Sequence, residues 1–384
     1  MKTAIIGGGA AGFFLAINLK EMCPQMEVTI FEKSKKVLAK VEVSGGGRCN
    51  CTNSFAVVSD LSQVYPRGHR LMKRLFKTFD HRDAYAWFER HGVRLVTQDY
   101  NCVFPASQDS HTIINLFLAE ARRHGIDIRT KTKITSLDEL KDFDYIAITT
   151  GGGTAAMAGV PVIEPVPSLF TFSIADEALR ALMGTVVENA TAFIPGTSFR
   201  ASGPLLITHW GMSGPAILRL SSYGARHLAE QGYASPLRIN WTGETDAEAV
   251  RLHIIYLINQ NAQRLIDNLH PYDLQTRLWT YLLSKVELQG KRCNELGKKG
   301  INRLVELLTN DTYTISGRSP YKDEFVTCGG ISLDEVNKQT LESKQTPNLF
   351  YAGEVLDIDG VTGGFNFQAA WTTAYAVAKG ITKK

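Results

Sequence analysis

The chain has 384 residues, with 42 Lys and Arg against 38 Asp and Glu, and 44% of it is hydrophobic. That length supports more than one packed core, and the composition is that of a globular protein, not a disordered or fibrous one. A net charge of +4 is too mild to argue for nucleic acid, no C-x-x-C pair suggests zinc or a thioredoxin-type centre, and no apolar run of about 20 residues predicts a membrane span.

Thr3–Ile6 is an apolar run that predicts a strand. Gly7-Gly8-Gly9-Ala10-Ala11-Gly12 follows, and then a helical pattern with Phe13, Phe14, Leu15, Ile17 and Leu19. Lys2 ahead of this run imitates a secretory leader, but the glycine cluster and Glu21 argue against one. Together with unpaired cysteines, this makes a cytoplasmic location the expectation. Gly7, Gly9 and Gly12 have the G-x-G-x-x-G spacing of a dinucleotide-binding turn. Gly7 permits the tight turn, Gly9 lets backbone amides approach a pyrophosphate, and Gly12 lets the helix pack closely on the sheet. The pattern alone is weak; its context strengthens it. A second strand, Val28–Phe31, leads to Glu32, 20 positions beyond Gly12, where an acid accepts hydrogen bonds from an adenosine ribose. NAD and FAD stay open at this point.

A basic run with Lys33, Lys35, Lys36 and Lys40 leads into Ser44-Gly45-Gly46-Gly47-Arg48-Cys49-Asn50-Cys51-Thr52-Asn53. Such a loop wraps a phosphate or an isoalloxazine edge with backbone amides while Arg48 supplies charge. The plainer alternative is a flexible surface loop with a solvated arginine. Nothing nearby lowers the pKa of Cys49 or Cys51, so packing or backbone roles are expected of them. Residues 66–98 read as helical, carrying Leu71, Leu75, Phe79, Tyr85, Trp87 and Phe88. Val103-Phe104-Pro105 is a turn, and a helix from His111 to His124 ends at Gly125. Ile126–Ile128 and Lys133-Ile134-Thr135 resemble strands. The run Tyr145–Thr149 is a buried strand, and Thr150-Gly151-Gly152-Gly153 after it belongs near a ligand crevice.

From Pro165 onward, short strands separated by Gly and Pro predict a compact, barrel-like β domain. It contains Thr208-His209-Trp210-Gly211-Met212-Ser213-Gly214-Pro215. A lone histidine is more often structural than catalytic, but the rigid turn around it makes His209 the candidate substrate-side residue. Thr245-x-x-Glu248 reads as a capping box, and further helices from Pro271 and around Ile301 complete a small helical subdomain. Its Lys291, Arg292, Lys298, Lys299 and Arg303 read as a solvated face in preference to a site for an acidic partner. The strand Asn348–Tyr351 then runs into Ala352-Gly353-Glu354. Asp357 to Gln368 and a helix to Lys379 place backbone amides and a positive dipole end beside a ligand.

Taken together, these motifs resemble the BaiN/YhiN-like (aminoacetone-oxidase-like) FAD-dependent flavoproteins over essentially the whole chain. The resemblance rests on Gly7–Gly12, Ser44–Asn50, Val103–Pro105, Thr150–Gly152, Thr208–Pro215, and Ala352–Glu354 with Gly363–Gln368. It implies an α/β fold in which a glutathione-reductase-like Rossmann domain (1–165 and 325–384) binds FAD. Inserted into it is a β-barrel-like domain (166–244 and 309–324) that itself carries a helical subdomain (245–308). The implied cofactor residues begin with Gly7, Gly9, Ala10, Ala11 and Gly12 at the pyrophosphate and Glu32 at the ribose, with Lys33, Lys40 and Ile134 also assigned to the cofactor. Ser44, Gly45, Gly46, Gly47, Arg48, Cys49, Asn50 and Thr52 join them from the glycine-rich loop. Thr150, Gly151, Gly353, Glu354, Asp359, Gly363, Gly364, Phe365 and Asn366 complete the set around the flavin.

Two departures from the family pattern stand out. Asn101-Cys102 replaces a Gly-Arg pair before Val-Phe-Pro, and the passage from Gly153 to Pro161 is short. The expected function is an FAD-dependent oxidoreductase moving hydride between flavin and an unidentified small molecule. NAD(P)H as a transient donor and oxygen as acceptor both stay open, because no second G-x-G-x-x-G unit offers a stable nicotinamide site. The His209 segment is expected to roof the substrate cleft. Two alternatives are an RNA-associated flavoprotein, akin to tRNA-modifying FAD enzymes, and a flavin-binding module without turnover. No metal and no membrane partner are expected, nucleic acid is disfavoured, and the oligomeric state is left open.

Overall fold

Five parallel strands form the central sheet, in the order Asp127–Arg129, Glu27–Phe31, Lys2–Ile6, Tyr145–Ile148, Leu349–Tyr351. The computed structural model describes residues 1–152, 159–318 and 326–384. The chain divides into two units, Met1–Ser168 with Asp323–Lys384, and Leu169–Lys322.

In the first unit, Ile5 pairs with Ile30 on one side and Ala147 on the other, so the first strand is central, and it is buried from Thr3 to Ile6. The helix Ala10–Met22 is buried on every face from Ala11 to Leu19. That follows from its position, because the C-terminal helix Phe365–Ile381 and the helix His111–Arg123 both pack on it. Phe14 lies 4.6 Å from Trp87 and 5.1 Å from Trp371, ring centre to ring centre. Fully burying such aromatics contributes about 2–3 kcal/mol each. Two small antiparallel sheets complete the unit. One joins Thr52–Asn53, Cys102–Pro105 and Leu95–Thr97; the other pairs Val162–Ser168 with Val326–Ile331.

The second unit is built on a closed barrel of six antiparallel strands. They are Phe172–Ile174, Val186–Phe193, Arg200–Thr208, Gly211–Ser213, Ser235–Asn240 and Asp311–Arg318. Three helices, Ala247–Gln260, Thr276–Lys285 and Gly297–Asn310, occupy the sequence between the last two strands. The Rossmann-plus-barrel architecture is therefore the one the sequence pattern predicts.

Several local expectations are corrected. Residues 66–98 do not form one helix but two, His69–Leu75 and His81–Arg90, followed by the strand Leu95–Thr97. Asp80 and Asp83 form a reciprocal capping box that starts a fresh helix where the apolar spacing alone runs on. Lys133–Thr135 is not a strand, since no strand among the described residues pairs with it. The helix expected to open at Thr245 is capped instead by Asp246, which accepts the Glu248 N–H at 2.9 Å. Pro271 opens a short 3-10 turn, and the following helix begins only at Thr276. Left-handed Leu169 (φ 54°) follows the end of the strand Val162–Ser168. No helix among the described residues is long and apolar enough to cross a membrane.

Candidate cofactor site

The first strand has the second strand on one side and Tyr145–Ile148 on the other, so the strand order reverses at its carboxyl end. That is where a doubly wound sheet opens a crevice for ligands, and Gly7 stands there. Gly7 N–H donates to Phe31 O at 2.8 Å, and Thr149 Oγ1 donates to Gly7 O at 2.9 Å. A Cβ on Gly12 would overlap Gly7 O and stand 2.8 Å from Thr149 Oγ1, so the helix reaches this distance from the sheet only with glycine. A Cβ on Gly9 would meet nothing within 4 Å. Ala10 and Ala11 open the helix, which has no side-chain cap and no acid in its first turn. Its orphan N–H groups are thus free for an anion.

Glu32 follows the second strand directly and bonds back to the glycine turn. Its Oε2 accepts the Gly8 N–H at 2.9 Å, and its Oε1 accepts Ser34 Oγ at 2.6 Å. Burial pushes this carboxyl up, but the bonds from Ser34 and Gly8 outweigh it and hold the pKa below its ordinary value. Thr132 N–H donates to Glu32 O at 2.9 Å, which lays the segment carrying buried Ile134 beside Glu32 and exposed Lys33.

The far end of the chain meets this turn. Gly353 faces Ala11, since a Cβ there would come within 2.8 Å of Ala11 Cβ. Lys40 and Glu354 pair at 2.7 Å, and Glu354 Oε1 also accepts the Thr327 N–H at 2.8 Å. Gly151 lies next to Glu354, and the Thr150 backbone lies against Gly7. The return loop Asp359–Asn366 is tied down along its length. Arg67 forms an ion pair with Asp359, whose carboxylate is fully buried and also accepts Ser168 Oγ at 2.9 Å. The Asn366 amide bonds both N–H and O of Gly360 at 2.8 Å. Tyr65 OH donates to Phe365 O at 2.9 Å, and Asn53 Nδ2 donates to Gly363 O at 3.0 Å. With its amide nitrogen turned toward carbonyls, Asn50 donates to Thr52 O at 2.8 Å and accepts the Gly364 N–H at 3.2 Å. Left-handed Gly364 (φ 91°) lies so close to Thr52 O that a Cβ would overlap it. The C-terminal helix then starts, like the first, with neither cap nor acid.

Several predicted site residues play a different part from the one their type suggests. Asp359, Asn366 and Thr52 have their side chains committed to protein partners, Thr52 to Gln368 at 2.6 Å. Ser44 does not begin a loop but closes the helical turn from Ala39, its Oγ bonded to Val41 O at 2.7 Å. Gly45, Gly46 and Gly47 follow, and nothing lies within 4 Å of the Cβ positions of the last two. Arg48 is exposed and stacks over Phe104 at 4.4 Å, with Nε on Gly45 O. Cys49 and Cys51 are buried, and burial together with its neighbour Cys49 pushes the Cys51 thiol well up. A packing role follows for both.

Asn101 occupies a left-handed position (φ 61°), which explains why the family pattern has glycine there and why asparagine substitutes for it. Gly153 lies outside the described residues. His209 belongs to the second unit, exposed on the turn between two barrel strands, with its ring edge-on to Trp210 at 4.3 Å. Arg67, Tyr65 and Ser168 are supporting residues that motif reasoning missed. Open space at Gly9 and two uncapped helix N-termini in one unit fit a cofactor with a diphosphate bridge.

A family model described as the HI0933-like protein Rossmann domain matches residues 1–380. The chain is 27% identical to the ribosomal RNA dihydrouridine synthase of Haemophilus influenzae, across 100% of this chain and 99% of that protein. It is 26% identical to the ribosomal RNA dihydrouridine synthase of Escherichia coli, across 98% and 96%. It is 25% identical to the 3-dehydro-bile acid delta(4,6)-reductase of Clostridium scindens, across 100% and 99%.

Proposed function

The chain belongs to the HI0933-like family of FAD-binding Rossmann proteins, and from that premise we propose that this FAD-dependent oxidoreductase saturates carbon–carbon double bonds conjugated to a carbonyl. One observation carries the reading: relatives with unlike substrates carry names that describe one reaction type. Dihydrouridine is uridine saturated at the ring bond conjugated to a carbonyl. The delta-4 and delta-6 double bonds of a 3-oxo steroid likewise form one system conjugated with its carbonyl. Each such reduction adds a hydride equivalent at the end of the conjugated double bond farther from the carbonyl and a proton at its nearer carbon.

Bound FAD supplies the two-electron chemistry. The chain's residues bind and orient it. The uncapped amides at Ala10 and Ala11 suit the pyrophosphate, with Gly9 leaving it room, and Glu32 suits the ribose hydroxyls. The Lys40–Glu354 pair clasps the first and last thirds of the chain across the crevice. The Arg67–Asp359 pair and the Asn366 amide hold the return loop in one shape, so that its backbone donors are preorganised.

The test does not presuppose an electron donor. Holoprotein reduced anaerobically with dithionite is mixed with 2-cyclohexenone and, separately, with uridine, and the yellow absorbance is followed. The reading expects at least one conjugated acceptor to restore the oxidised spectrum. Restoration by oxygen alone, with every conjugated acceptor inert, overturns it. A parallel reduction with NADH and NADPH identifies the donor.

A further inference from the structure

We infer that the exposed face of the short helix His69–Leu75 is a docking surface for the phosphate backbone of RNA, which it holds beside the return loop of the cofactor site. This rests on the reading above, of which a uracil ring within a polynucleotide is one substrate class.

The charge is concentrated to an unusual degree. From Pro66 to Arg82 the sequence holds six Lys and Arg and a single acid, Asp80, a net of +5 within a chain whose total is +4. Within it, Arg70, Lys73, Arg74 and Lys77 fall at positions i, i+3, i+4 and i+7. The helical turn continues through Lys77, since Phe76 N–H bonds Met72 O at 2.8 Å and Phe79 N–H bonds Leu75 O at 3.0 Å. Such spacing puts all four side chains on one stripe. All four are exposed, whereas Leu71, Met72 and Leu75 on the opposite side are buried. Among the described residues none of the four forms an ion pair. Asp60 feels the field of Lys73 and His69, but its carboxylate caps the turn at Ser62. A structural stripe of this kind would normally be laced with acids; this one is unneutralised.

Its location links it to the site. Arg67, two residues before the helix, holds Asp359, and Gly68 lies against Ile358. The same return loop is also held by Asn53, whose Nδ2 donates to Gly363 O at 3.0 Å and to Tyr100 O at 3.4 Å. Tyr100 is 58% exposed and sits in a left-handed turn (φ 57°). A cationic stripe and an outward-facing aromatic flanking one loop suit a polymer with regularly spaced phosphates and a stackable base. A lipid surface would need an apolar face beside the cations, and here that face is buried. An acidic protein would have no use for the bare tyrosine.

The experiment measures binding, without turnover, between FAD-loaded protein and a fluorescently labelled RNA hairpin with a single-stranded uridine loop, across a salt series. Affinity should fall linearly with salt on logarithmic axes. The triple variant R70Q/K73Q/R74Q should lose more than tenfold in affinity and flatten that slope by about two, with flavin content and absorbance unchanged. Tyr100→Ala should lose about tenfold at an unchanged slope. The inference is overturned if the triple variant binds as tightly as the native protein. It is equally overturned if the native protein binds anionic phosphatidylserine vesicles or polyglutamate but not RNA at low salt. Because reoxidation by free uridine or cyclohexenone needs no RNA, a failure here and a failure of the proposed chemistry are read separately.

Discussion

Gly9→Ala separates the ligand-facing role of the glycine turn from its structural role. The native backbone there is φ −93°, ψ −169°, which alanine adopts without strain, and a Cβ would meet nothing within 4 Å. The apoprotein should therefore be as stable as the native one, or more stable by about 0.4–1 kcal/mol, because alanine restricts the unfolded chain. The methyl instead enters the space that a pyrophosphate must share with the helix N-terminus. Overpacking of that kind costs about 1–3 kcal/mol, which raises the FAD dissociation constant by about 5- to 150-fold. Gly12→Ala provides the contrast, since its Cβ would overlap Gly7 O and crowd Thr149 Oγ1 at 2.8 Å. That variant should lose stability with or without FAD. The assay pairs thermal unfolding of apoprotein with FAD titration by fluorescence quenching. If Gly9→Ala lowers the apoprotein melting temperature, or binds FAD as tightly as the native chain, the placement of the pyrophosphate is wrong.

Three further outcomes follow from buried charges. His91 Nδ1 faces Trp87 O and its Nε2 faces Glu21 Oε1, both at 2.7 Å. Burial disfavours its charge, but the bonds to Glu21 and Trp87 outweigh that and raise its pKa. The contribution is thus complete below about pH 6.5 and is lost as pH rises through the raised folded value; a melting-temperature profile from pH 5 to 9 should show this decline, and His91→Gln should remove it. In the second unit, Lys285 pairs with Asp311, whose carboxylate also takes bonds from Trp241 Nε1 at 3.0 Å and Tyr313 OH at 2.5 Å. Lys285→Met strands a buried carboxylate and should cost about 3 kcal/mol in urea unfolding; a loss below about 1 kcal/mol would mean that the two hydroxyl and indole donors suffice. Asp359→Asn removes the buried carboxylate charge that pairs with Arg67 and should weaken FAD binding along with stability, whereas an unchanged titration would show that the return loop holds its shape without the pair.

The legible parts of this protein are those whose chemistry is local. The turn Gly7–Gly12 could be read because three constraints fall within six residues, and the strand, helix and Glu32 around it obey a fixed spacing. The barrel could be read because its strands are short and punctuated by Gly and Pro. What stayed hidden joins distant positions or depends on polar detail. Arg67 and Asp359 lie 292 positions apart, and neither carries a local mark of its partner. Asp80 starts a second helix inside an unbroken apolar rhythm. The cations at Arg70, Lys73, Arg74 and Lys77 were masked twice. The apolar residues between them read as an ordinary amphipathic helix, and acids elsewhere dilute the total charge to +4.

In the proposed reading the return of the chain through Glu354, Asp359 and Asn366 forms half of the site, and the structure changes how its importance can be tested. From the sequence, removing the last ~30 residues should abolish FAD binding while leaving the glycine turn intact. The structure makes that removal uninformative, because it takes away Trp371. This side chain is fully buried, packs on Phe14 and Phe88, and donates through Nε1 to Cys51 O at 2.8 Å. Loss of such an anchor unfolds the first unit, and FAD binding would vanish for that reason alone. Asn366→Ala is the discriminating change. It deletes only the two bonds to Gly360, worth about 1 kcal/mol each, outside the aromatic cluster. The apoprotein should then remain folded by near-ultraviolet circular dichroism while FAD affinity falls about tenfold. Native affinity in that variant would show that the amino-terminal turn suffices and that the return loop is scaffold.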